Sequence, residues 1–122
     1  MNPGTPGTSA GVRLRDLDAV LVTVDPGDSR QYHYSRHGES IHGVEFDCPT
    51  LGHGERILVW FKNPIGPSGP GSGGLPVRPD VGPLARWTVV SGTTVDDLTL
   101  SPSINVHGDW HGWIRNGCAV SA

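Results

Sequence analysis

GVEFDCPTLGHGERILVWF, residues 43–61, decides how the rest of the chain is read. Its first six residues alternate, with Val44 and Phe46 to one side and Glu45 and Asp47 to the other, the period of two expected of a half-buried strand. RILVWF (56–61) is the most apolar run of the protein and predicts a central strand. PTLGHG interrupts the pattern between them. The two runs therefore predict an antiparallel hairpin, with Cys48 and His53 near its turn.

Working outward, AVLVTV (19–24) is β-branched and predicts a strand, and DPGD (25–28) a turn. Residues 29–42 have no clean period and leave a short helix and a long loop both open; His33 and His37 would share a face if 30–38 were helical, most simply a solvent face. Residues 1–11 form a flexible arm by composition. Residues 63–83 are dense in Gly and Pro, which argues against helix and interior strand and predicts a disordered insertion loop. RWTVV (86–90) resumes a strand, Asp96-Asp97 makes a turn, and 98–100, 104–106, 110–115 and 119–120 predict further short strands. Asn116-Gly117 is a strong hairpin signal. The sum is a mostly β fold, a small antiparallel sandwich or open barrel, in a single domain over 12–122.

The chain has 122 residues and a net charge of −3, with nine basic and twelve acidic residues, which argues against a nucleic-acid partner. No apolar run reaches membrane-spanning length and residues 1–11 lack the apolar core of a signal peptide, so no membrane partner and a cytoplasmic location are expected. In that compartment Cys48 and Cys118 are expected as reduced thiols or as a metal ligand.

Chemistry concentrates in LTLSPSINVHGDWHGWIRNG (98–117). Ser103 and His111 lie at strand ends that a hairpin would face together, and an imidazole is the base a serine hydroxyl needs near neutral pH. Asp109 or Asp97 would orient the ring, and Ser101 is the alternative nucleophile. The plain reading of the same residues is a turn whose hydroxyls bond the backbone and a packing histidine; no glycine-flanked serine elbow separates the two. Cys48, His53 and His107, with His111 and His42 as further donors, make a candidate zinc set. Trp60, Trp87, Trp110 and Trp113 predict packing, with Trp110 and Trp113 on opposite faces of one strand, so that one of them walls a pocket or a partner surface.

VEFDCP (44–49), ILVWF (57–61), the Trp87 that opens RWTVV, LTLSPSI (98–104) and WHGWIRNG (110–117) together resemble a family of small domains common in phage and prophage genomes and in bacterial ubiquitin-like conjugation operons. The resemblance covers roughly residues 40–120, and the pairing of LSPSI with HGWIRNG is its most specific part. It implies a peptidase-like hydrolase acting on a peptide or a ubiquitin-like tail. Many relatives carry a cysteine-rich cluster after the equivalent of Cys48, implying zinc; here Thr50, Leu51 and Gly52 stand in its place. The expectation is thus a hydrolase with Ser103 as nucleophile, His111 as base, Asp109 as orienter and zinc at Cys48, His53 and His107. Its rivals are a non-catalytic phage accessory or anti-defence binding module and a virion structural component.

Overall fold

The computed structural model describes residues 11–25, 28–74 and 85–122. Along them run β1 (Val12–Arg13), a 3₁₀ turn (Leu14–Leu17), β2 (Val20–Asp25), β3 (Asp28–Tyr34), β4 (Ile41–Cys48), β5 (Gly52–Gly66), β6 (Gly69–Pro70), β7 (Thr88–Ser91), β8 (Thr99–Ser101), β9 (Ile104–Val106), β10 (Trp110–Arg115) and β11 (Cys118–Ser121). The expected mostly β fold is what forms. Its antiparallel sheets do not close into a barrel, which favours the sandwich.

The β4–β5 hairpin is the spine. Val44 pairs with Val59 and Phe46 with Ile57, and all four are buried. β2 pairs on the other side of β4 and β3 outside it, giving the order β3-β2-β4-β5-β6. A second sheet has the order β1-β11-β10-β9, and β7 pairs with β8. Asn116 and Gly117 both take positive φ, 48° and 75°, as a two-residue type I′ hairpin requires, and join β10 to β11. Phe46 of the first sheet meets Trp110 of the second edge to face, with ring centroids 6.3 Å apart, inside one core running from Leu14 to Ala119.

Two expectations are corrected. Residues 29–42 are neither helix nor simply loop: SRQYHY belongs to β3, at a sheet edge, where a strand has one paired neighbour and tolerates polar side chains. Within 63–83, residues 63–66 complete β5 and 69–70 form β6. Proline is admitted because the β4–β5 register breaks there: Gly43 pairs with Trp60 and Ile41 with Ile65, so residues 61–64 bulge out of the ladder and Pro64 owes no N–H to β4. The bulge serves a second partner. Trp87 N–H donates to the Trp60 carbonyl and Lys62 N–H to the Trp87 carbonyl, a short parallel bridge that leads into β7. The arm over 1–10, residues 26–27 of the DPGD turn and residues 75–83 of the loop lie outside the described residues.

Candidate functional site

β10 alternates strictly. Trp110, Gly112 and Ile114 face the core; His111 and Arg115 are exposed and Trp113 is half-buried on the outer face. Gly112 must be glycine, because a Cβ there would stand 2.3 Å from the Val120 carbonyl oxygen and 2.4 Å from the Trp110 ring. β9 runs beside β10 with Asn105 opposite His111 and Ile104 opposite Gly112. Ser103, the residue before β9, therefore lies diagonal to His111 on the same face. Its Oγ is 3.3 Å from His111 Nε2, a long hydrogen bond. The indole N–H of Trp87 donates to the Ser103 carbonyl at 3.1 Å and holds the serine backbone in place. His111 also borders an open cleft of about 400 Å³, with Thr50, Asn105, Asp109, Trp110 and Ser121 in its walls.

The pair forms without its expected acid. Asp109 is exposed; its backbone carbonyl accepts from the Thr50 hydroxyl and its N–H donates to the Val106 carbonyl. Among the described residues no hydrogen bond joins the Asp109 carboxylate to His111, so the expected orienter does not meet the ring; the bonds Asp109 makes are those of its backbone, which close the β9–β10 turn and tie it to Thr50. Asp97 is equally engaged. One of its oxygens accepts from the N–H groups of Thr93 and Thr94 and from the Thr94 hydroxyl, and the backbone bonds lead in holding its carboxyl below the usual range. Ser101 is exposed at the end of β8.

The metal expectation is also redrawn. Neighbouring residues of β4 point to opposite faces, so Cys48 is buried, 3.3 Å from the Thr50 hydroxyl, while Asp47 turns toward His53. His107 stands exposed in the β9–β10 turn. Cys48, His53 and His107 do not converge. Among the described residues the one group of three metal-type donors is Asp18, Asp47 and His53, which offers the donor set for a divalent ion. His53 Nδ1 lies 3.4 Å from Asp47 Oδ2 and 3.6 Å from Asp18 Oδ2. Donors held ~2.1 Å from a tetrahedral ion sit about 3.4 Å apart, so these separations suit one. Burial pushes the Asp47 carboxyl up, but Arg56 at 3.1 Å and the Gly54 N–H outweigh it and hold the group below its ordinary range. Both cysteines are free thiols.

His33 carries a further constellation that the sequence pattern hid. On β3 its Nδ1 is 2.6 Å from Asp25 Oδ1 and its Nε2 is 2.9 Å from Glu39 Oε1, so the ring bridges two carboxylates. Asp25 foremost, then Glu39, raises its pKa above the ordinary value. The shared helical face with His37 does not exist, because this segment is extended through Tyr34. His42 is no metal donor on its Nδ1 side, which accepts the Val24 N–H at 3.0 Å; burial lowers its pKa. Asp25 was legible only as part of the DPGD turn, and no sequence motif singled out Asp18, whose partners lie far along the chain.

Against known proteins, no family model, curated protein or solved structure matches the chain.

Proposed function

We propose that this protein is a small peptidase-like hydrolase that acts on a peptide, or on a ubiquitin-like tail as the sequence resemblance implies, through Ser103 and His111. The single observation that carries the reading is the 3.3 Å approach of Ser103 Oγ to His111 Nε2 on an accessible face beside an open cleft. In this reaction His111 Nε2 takes the hydroxyl proton as Ser103 Oγ bonds to the scissile carbonyl carbon. The same nitrogen returns the proton to the leaving amine, and water then releases the acyl group. Among the described residues no carboxylate bonds the ring, so none of them fixes the tautomer that leaves Nε2 free to accept. Replacing the acid of a serine triad costs about 10⁴-fold in turnover, so the rate here is expected to be low.

A fluorophosphonate probe tests the reading directly, because it records nucleophile activation without knowledge of the substrate. One label per chain is expected on Ser103, absent in Ser103→Ala and strongly reduced in His111→Ala. A folded protein that takes no label, or takes it equally without His111, abandons the hydrolase. A binding module is the second reading, favoured by the outward Trp113 and Arg115; there Ser103→Ala is silent and Trp113→Ala impairs function.

A further inference from the structure

Among the described residues, the outer face of β10 carries a cation with no acid paired to it. The Arg115 guanidinium carbon lies 4.7 Å from the centre of the Trp113 ring, and the His111 ring is also close to it, centroids 6.0 Å apart. Neighbouring charges are matched elsewhere. Arg15 holds Asp96 through two hydrogen bonds of 2.8 and 2.7 Å, Arg13 holds Asp16 at 3.1 Å, and Asp97 is taken by the Thr93–Thr94 turn. Among the described residues no carboxylate stands within ion-pair distance of Arg115. In a chain of net charge −3 this leaves a stripe of Ser103, His111, Trp113 and Arg115 free of acidic side chains. A guanidinium held over an indole face by cation–π attraction keeps its planar fork of N–H donors for a partner. That geometry matches a carboxylate taken on two bonds.

We infer that Arg115, seated on Trp113, is a recognition site for the acidic side chain of an extended peptide laid along the outer face of β10. His111 and Arg115 are four residues apart on one strand, about 13 Å, which an extended peptide spans in four residues. The peptide's carboxylate occupies Arg115 while its backbone passes Ser103. This is a statement about binding and stands whether or not Ser103 cleaves.

The experiment uses the full chain carrying Ser103→Ala, so that no turnover disturbs binding. Tryptophan fluorescence follows titration with acetyl-Gly-Val-Glu-Val-Gly-amide and with its Gln counterpart. The Glu peptide is expected to bind at least tenfold more tightly, with the difference shrinking as salt is raised. Arg115→Ala is expected to erase the preference, and Arg115→Lys to restore only part of it, since lysine keeps the charge without the fork. Arg115 is exposed, and an unchanged melting temperature verifies that its variants fold. Equal binding of the two peptides, no binding of either, or a preference that survives Arg115→Ala overturns the inference. So does tighter binding of the Gln peptide with a free C-terminus than of the Glu peptide, which assigns the site to a chain end. Loss of the hydrolase reading appears separately, as absent fluorophosphonate labelling.

Discussion

At the scale of single residues, His33 is the side chain whose charge the fold most visibly fixes. Its two ring nitrogens meet Asp25 and Glu39, an arrangement that satisfies both N–H groups only when the ring is protonated. The folded pKa lies above the ordinary 6.5, so the folded state binds the proton more tightly than the unfolded chain does. The resulting stabilisation is complete below the ordinary histidine range and is lost as pH rises through the raised value. Glu39 works in the opposite sense: Arg36 N–H foremost, then His33, lowers its pKa, and its share is lost as pH falls through that lowered value. Against His33→Gln, the native protein should therefore hold its largest stability advantage in mildly acidic solution and lose it with rising pH. Urea unfolding at several pH values checks this, and an advantage independent of pH refutes it. The neighbourhood explains why the sequence hid the trio. Asp25 ends one strand, His33 lies inside the next and Glu39 follows in a loop, so only the β2–β3 register brings them together.

Among the elements, β5 shows how far local pattern reaches. Its RILVWF core was legible as a continuous apolar run and β2 as a β-branched one, whereas β4 was legible through its alternation. The continuation through Asn63 and Pro64 was not, because proline is excluded from a strand only where its N–H is owed to a partner, and a bulge cancels that debt. β3 escaped for a related reason: an edge strand has no need of an apolar repeat. At the candidate site, the consecutive short SPSI and WHGWIR strands, close enough in sequence to pair across one hairpin, made the Ser103–His111 approach legible, whereas the tie of the Asp109 backbone to Thr50 depends on the distant β4–β5 turn. The β5 bulge yields a test. Asn63 acts as a backbone substitute: its Oδ1 accepts the Val89 N–H at 2.7 Å and its Nδ2 donates to the Val89 carbonyl at 2.9 Å. Val89 is buried, so Asn63→Ala strands a donor and an acceptor, at a cost of about 1–3 kcal/mol for each group left unpaired. Asn63→Asp keeps the acceptor but turns an oxygen toward the Val89 carbonyl, and should be no better. Denaturant midpoints at constant m-value measure both; an alanine variant as stable as the parent shows that β7 does not depend on this pairing.

For the molecule as a whole, the question is what makes two sheets one body, and Trp110 answers most of it. It is 4 % exposed, rests edge-on against Phe46 of the other sheet, and anchors its indole N–H on the Ser121 hydroxyl at 2.9 Å. The neighbouring position on the same strand is His111, so the residue that closes the core also sets the height and direction of the reactive face. Around it the sandwich is thin, as expected of a chain of this length, and a domain of this kind has only about 5–15 kcal/mol of net stability. Removing a buried tryptophan costs about 3–5 kcal/mol through lost burial and the cavity left behind. Trp110→Ala should thus consume a large share of the stability, loosening both sheets in one transition because the core is continuous from Leu14 to Ala119. Trp110→Phe keeps the ring against Phe46, gives up the Ser121 bond, and should lose less than the alanine variant. Urea unfolding followed by circular dichroism and by the remaining tryptophans reads both predictions. If Trp110→Ala costs less than ~1 kcal/mol, or unfolds in two separate steps, the sheets are held together by something other than this contact.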